Sequence, residues 1–306
     1  MRREGESPST YSTVTVKRPQ ENKILLYEDR SRAQCIEAVF DFMRANRRIW
    51  FRSAFTLLMP VCMVLGFSVL TLSADDRPSG DTIMDWLFVW GPGFDLFFKV
   101  MVVVGTWMTF VHVYSLLEAY DEHGSALDAF TQRQMLPYYL RKAKVSWWLA
   151  ILLAGVSYFV LGSSNIWPSL LLLIVLVPLA LLPSVVIIER LGVFSAFAKS
   201  LRLGFQAWFQ LFFTIGLTLL FGFLMTLVIA LPSLVMSGWF SSLAYGLSSN
   251  NGLTLLVAYG FTSLVYLGLY LMVSMMLMSC AYEYGTVSER IDDASLESEI
   301  EHFEDL

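Results

Sequence analysis

Residues able to do chemistry are sparse in this 306-residue chain, and they gather at the ends of long apolar blocks rather than inside them. Asp95, Lys99, Glu118, Glu189 and Glu283 all fall near such ends, and His112 alone lies well within one. Asp95 and Lys99 are four apart in the favoured acid-then-base order, which reads as a snorkelling surface pair ahead of a substrate gate. His112 has no acidic, Cys or His neighbour one helical turn away, so a packed polar side chain is the expectation ahead of a proton relay or ligand. His123 and His302 read as surface residues. Three scattered histidines make no metal site, and HExxH, GxSxG, Walker and dinucleotide motifs are all missing. Cys35, Cys62 and Cys280 form no CxxC or Cys/His cluster and read as small apolar residues. Gly91-Pro92-Gly93 reads as a turn rather than a phosphate cradle.

Proton-coupled carriers, pumps and voltage sensors need charges within the membrane. Their scarcity here argues for a non-enzymatic chain without cofactors. The remaining chemistry is electrostatic. Arg44, Arg47 and Arg48 close one basic segment, and Arg190, Lys199 and Arg202 line another. Both segments carry apolar residues at helical spacing: Ile36, Val39, Phe40 and Met43 in the first, and Val193, Phe197, Leu201 and Phe205, with Phe194 beside them, in the second. A helix that is basic on one side, apolar on the other and adjacent to a span is expected to lie in the headgroup layer and bind anionic lipid. These six basic residues are the candidate interface. In the first segment Glu37 and Asp41 come early and the arginines late, which suits the helix dipole.

The elements that position these residues are membrane spans. The chain is 56% hydrophobic and only 15% charged, against about 25% charged in soluble domains. Apolar blocks lie near 52–72, 96–117, 146–162, 168–188, 207–236 and 254–281. Most reach the roughly 20 residues that a helix needs to cross a bilayer, and backbone in lipid must bond internally, so they read as helices. The fold class is therefore all-α, a polytopic bundle of about six spans. A flexible tail occupies 1–25, the membrane domain 26–285, and an acidic tail 286–306. No signal peptide is visible at the start of the chain, because the first apolar block begins only near Phe51.

Orientation follows from Lys and Arg. Placing the N-terminus inside puts nearly all of them on the cytoplasmic side and leaves only Arg77 and Lys99 outside, while Asp75, Asp76, Asp81, Asp85 and Asp95 collect in the outer loop 73–95. Trp50, Trp147, Trp148 and Trp208 then fall at inner interfaces, and Trp86, Trp90, Trp167 and Trp239 at outer ones, as indole prefers. The stretch 83–90 reads either as a short interfacial helix or as a loop anchored by tryptophan. Both termini are expected in the cytoplasm. The acidic C-terminal stretch, with Leu296, Ile300 and Phe303 at helical spacing, is either an amphipathic helix that docks on basic segments or a solvated tail. The net charge of −5 gives no nucleic-acid partner.

Residues 32–51 and 190–209 align without a gap, matching Arg32 with Arg190, Ala38 with Ala196, Arg44 with Arg202 and Trp50-Phe51 with Trp208-Phe209. A weaker third copy runs from Leu127 to Trp147-Trp148. The architecture expected is three units of surface helix plus helical hairpin, with interfacial helices near 32–48, 125–142 and 190–206. Pro60, Pro178, Pro183 and Pro232 read as kinks, and Gly105, Gly155, Gly216, Gly222, Gly260 and Gly268 as sites of close helix packing.

The run Glu189-Arg190-Leu191-Gly192-Val193-Phe194-Ser195-Ala196-Phe197-Ala198-Lys199-Ser200-Leu201-Arg202 resembles the cytoplasmic helix of bacterial multi-span proteins grouped with the glycerophosphoryl diester phosphodiesterase membrane-domain family. Tyr282-Glu283-Tyr284 followed by Ser288-Glu289-Arg290 resembles that family's exit from its last span. The resemblance covers about residues 30–290. It implies a six-span protein of the bacterial cytoplasmic membrane, with no established reaction for the membrane part. Members named for the phosphodiesterase carry a separate catalytic barrel, for which no length remains outside these spans, so no catalytic residue carries over. The functional expectation is a lipid-organising or partner-scaffolding membrane protein, its partners being membrane lipids, other membrane proteins or itself. The alternative is a transporter or channel for an apolar or lipid-like solute.

Overall fold

The computed structural model describes residues 24–73, 92–123, 127, 130–162, 175, 177–189, 191–244 and 252–292. Among these residues all regular structure is helical: α1 (Arg32–Ala45), α2 (Arg47–Ser73), α3 (Pro92–His123), α4 (Gln132–Gly162), α5 (Leu182–Glu189), α6 (Val193–Gln206), α7 (Trp208–Ala244) and α8 (Gly252–Asp292). Four segments are long and apolar enough to cross a membrane: Arg47–Ser68, Phe97–His123, Trp208–Pro232 and Tyr259–Asp292. The chain is thus a helical protein with the makings of a membrane protein. The blocks expected at 146–162 and 168–188 are only partly described, as the second half of α4 and the apolar helix Val177–Glu189.

Outside the described residues lie Arg190, Arg77, the outer-loop aspartates Asp75, Asp76, Asp81 and Asp85, the 83–90 stretch, Trp86, Trp90 and Trp167, most of the N-terminal tail, and the acidic tail from Asp293 onward, including His302. The side chains of Asp95 and Trp239 are also outside them.

The central helix is α8. It runs antiparallel to α7, with Thr218 Oγ1 donating to Ser279 Oγ at 3.0 Å and Thr226 Oγ1 to the Gly268 carbonyl at 3.0 Å. It packs on α2 where Gly66 meets Ser263, and on α3 where Gly105 meets the Tyr270 ring. Such small-residue approaches and interhelical hydrogen bonds are what hold helices together when lipid tails are as apolar as leucine. Other polar pairs join the remaining helices: Ser53 and His112 Nδ1 at 3.1 Å, Trp107 Nε1 donating to Ser146 at 3.1 Å, and Tyr114 and Ser184 at 2.8 Å. His112 is fully buried, and its second ring nitrogen has no partner among the described residues. The expectation of a packed histidine therefore accounts for only half of its ring. Trp50 is buried, with its ring 6.4 Å from that of His112.

Burial is uneven. Only 22% of the most apolar stretch of α7 is buried, against 61% in α3 and α8. α7 is therefore a peripheral helix, with Phe209, Phe213, Met225 and Val228 turned outward.

Candidate membrane-interface site

The basic segments expected at the inner interface do form helices next to spans, and each is separated from its span by a single residue. Ser31 opens α1 in an extended conformation, its N–H donating to Gln34 Oε1 at 2.8 Å, a capping-box contact. Gly192 opens α6 with nearly the same backbone angles. Asn46 ends α1 at φ −117°, ψ 22°, and Ala207 ends α6 at φ −106°, ψ 21°. Matched by their helix ends alone, the two segments pair Ser31 with Gly192 and Asn46 with Ala207, three residues out of step with the gapless sequence alignment. In this register the buried positions coincide as well: Cys35 with Ala196, Val39 with Ser200, Phe42 with Leu203 and Trp50 with Leu211. The middle segment has no such break, since α4 runs continuously through Pro137 into the apolar block.

Asn46 is a structural joint that the sequence reading passed over. It is fully buried, its Nδ2 donates to the Phe42 carbonyl at 3.0 Å, and its Oδ1 accepts the Leu127 N–H at 2.7 Å. The signal was present: Asn after a basic last turn is a common helix terminator.

α6 has three faces rather than two. Phe194, Phe197 and Phe205 are exposed, Phe194 to 90%. Ala196, Ser200 and Leu203 are buried, with Ser200 Oγ donating to the Pro178 carbonyl at 2.9 Å and Gly204 in close contact with Pro178. Between them runs the basic stripe, and it is engaged inside the protein. Lys199 Nζ lies 2.7 Å from Glu189 and 3.5 Å from Asp292, and Arg202 lies 2.6 Å from Asp292. Tyr284 OH also donates to Glu189. Of the candidate lipid-binding residues, Lys199 and Arg202 are therefore ion-paired with carboxylates of the same chain, and Arg44, Arg47 and Arg48 lie exposed at the α1–α2 elbow. Arg44 has only a long 3.7 Å contact with Asp41. Phe51 and Phe55, each more than half exposed, flank the elbow beside Arg52.

The same end of the molecule is closed by the segment 24–31, a strap across α3 and α8. The Ile24 N–H donates to Tyr120 OH at 3.2 Å, Thr286 Oγ1 to the Glu28 carbonyl at 3.1 Å, and the Arg30 guanidinium lies over the Tyr282 ring. Gly285 lets the strap cross, because a Cβ there would collide with the Leu26 carbonyl. Burial pushes the Tyr27 hydroxyl up to about 12, with Glu189 adding to the shift, and burial likewise raises the Cys35 thiol to about 12. Under the strap is a cavity of about 230 Å³ bordered by Glu118, Asp121, Lys142 and Tyr282. Lys142 is almost fully buried, 3.2 Å from Glu118 and 3.2 Å from the Ile187 carbonyl. Arg141 bridges Glu118 and Glu122 at the rim. Small-molecule sites commonly span about 300–1,000 Å³, so this hollow is better suited to water than to a substrate.

A second feature missed by sequence reading is Glu283. It is fully buried, neither carboxyl oxygen has a hydrogen-bond partner among the described residues, and it lies beside Cys35, Gln210 and Thr214. Among the described residues no group of three or more His, Cys, Asp or Glu could hold a metal ion. No protein-family model, curated protein or solved structure matches this chain.

Proposed function

We propose that this chain is a non-enzymatic, multi-pass protein of the bacterial cytoplasmic membrane that gathers anionic lipid, and through it partner membrane proteins, at the inner leaflet. In this reading it has six spans, both termini in the cytoplasm, and repeated units of surface helix plus hairpin, in keeping with its resemblance to the glycerophosphoryl diester phosphodiesterase membrane-domain family. The observation that carries the reading is the α1–α2 elbow, where Arg44, Arg47, Arg48 and Arg52 stand exposed beside outward-facing Phe51 and Phe55. Arginines next to aromatic side chains at a span end suit a boundary between acyl chains and anionic headgroups.

The test is lipid retention by the purified full chain. Wild type is expected to keep phosphatidylglycerol in preference to phosphatidylcholine. A variant carrying Arg44→Gln, Arg47→Gln and Arg48→Gln is expected to lose about fivefold of that preference per arginine, from about 1 kcal/mol for each basic group near an anionic surface. Equal retention of both lipids by wild type sinks the reading. Tags at both termini reachable only from the cytoplasm support the orientation.

The alternative, passage of a lipid-like solute, is favoured by one observation: an open hollow of about 470 Å³ between α1 and α7. Reconstituted vesicles that move labelled lipid no faster than protein-free vesicles dismiss it.

A further inference from the structure

We infer that the groove between α1 and α7 is a built site for one anionic phospholipid molecule, with its phosphate on Arg32 and an acyl chain along α7; this rests on the lipid-gathering reading above and gives it a discrete site. Two ring contacts set α1 beside α7: the Arg32 guanidinium lies over the Phe213 ring at 5.6 Å, and Phe40 meets Phe221 edge-on at 5.7 Å. Both contacts advance by the same number of residues on each helix, so the two helices share a seam of about 12 Å at 1.5 Å per residue. Along it a hollow of about 470 Å³ is bordered by Ile36 on one wall and Phe213, Leu217 and Leu220 on the other.

The chemistry changes along the groove. Arg32 borders this apolar hollow and two further hollows at its mouth, where Gln210 and Arg290 also reach. Arg30 is tied to Glu28, and Arg290 to Asp29 at 2.6 Å. Arg32 is left with no carboxylate partner among the described residues. The mouth therefore carries one uncompensated cation, which a phosphodiester neutralises with charge-assisted hydrogen bonds.

Inward of the groove, Thr214 and Gln210 lie beside the buried Glu283 carboxyl group, so the donor offered to a ligand at the mouth is the Arg32 guanidinium. In addition, a side chain at Gly216 would meet nothing within 4 Å, whereas Gly66, Gly105, Gly204 and Gly222 are pressed against neighbouring helices. The notch at Gly216 is open where an acyl chain would run.

The experiment is native mass spectrometry of the full chain after delipidation, titrated with phosphatidylglycerol, phosphatidylcholine or glycerol 1-phosphate. Wild type is expected to take up one phosphatidylglycerol about tenfold more tightly than phosphatidylcholine, and no glycerol 1-phosphate at the same concentration. Arg32→Gln is expected to weaken that single site about tenfold. Gly216→Phe, whose Cβ would meet nothing within 4 Å, is expected to block it while leaving the melting temperature unchanged. The triple variant at Arg44, Arg47 and Arg48 is expected to lose further, weaker lipids and keep this one. Wild-type occupancy in both Arg32→Gln and Gly216→Phe overturns the groove site, even if the triple variant loses lipid and the broader reading stands. Binding of glycerol 1-phosphate as tight as that of phosphatidylglycerol overturns it in favour of a soluble phosphate ligand.

Discussion

Replacing Gly285 by valine should lift the N-terminal strap from the bundle without unfolding the bundle. The Gly285 Cα lies so close to the Leu26 carbonyl that even a Cβ collides with backbone, which cannot rotate away as a flexible side chain can. Overpacking of this kind costs about 1–3 kcal/mol, and more where backbone must move. The strap is held by two hydrogen bonds, Ile24 to Tyr120 and Thr286 to Glu28, by the Asp29–Arg290 ion pair at 2.6 Å, and by the ring contacts of Arg30 with Tyr282 and Tyr27 with Tyr284. At about 1 kcal/mol for each hydrogen bond, about 0.5 kcal/mol for the exposed ion pair and about 0.5–1 kcal/mol for each ring contact, these sum to about 4 kcal/mol. The clash and the clamp are thus of similar size, so detaching the strap is the cheapest relief. An opening equilibrium shifted by about 3 kcal/mol changes by about two orders of magnitude. Limited trypsinolysis reads this directly, because Arg30 is 7% exposed when the strap is docked. Cleavage after Arg30 should accelerate by about that factor in Gly285→Val and by less in Gly285→Ala. Gly155→Ala, whose Cβ meets nothing within 4 Å, should match wild type. Wild-type cleavage rates in Gly285→Val refute the reasoning.

Three further outcomes follow from the same end of the molecule and its core. Asp292→Asn should free Arg202 and half-release Lys199, raising phosphatidylglycerol retention about fivefold per freed cation; unchanged retention shows that these cations do not reach the headgroups. Ser53→Ala should strip His112 Nδ1 of its hydrogen-bond partner, costing about 1 kcal/mol and lowering the melting temperature in detergent by about 2–4 °C; an unchanged melting temperature counts against a structural role for the pair. Strap docking should also depend on pH. Burial raises the Tyr27 hydroxyl from 10.0 to about 12, so its contribution is complete below pH 10 and is lost as the pH climbs through about 12. Trypsin sensitivity at Arg30 should rise over that window in wild type and not in Tyr27→Phe.

Composition and period were enough to establish that the chain is helical and built for a membrane. A deficit of charge in long apolar blocks leaves the backbone no other solution in lipid, and the spans within α2, α3, α7 and α8 fall close to the blocks read from sequence. The basic amphipathic helices were legible as well, because helical spacing is local information. What each basic residue does was not legible. Arg202 meets Asp292 from ninety positions away, and Lys199 meets Glu189 across a turn. No spacing rule separates these paired cations from the exposed Arg44 and Arg47. The sequence also shows α6 as two-sided, since Ala196, Ser200 and Gly204 look neutral until Pro178 is packed against them. The groove beside Arg32 exists only because α1 lies along α7, a contact between segments far apart in the chain. Local physics sets which stretches enter the membrane; long-range packing decides which charges are left over to meet it.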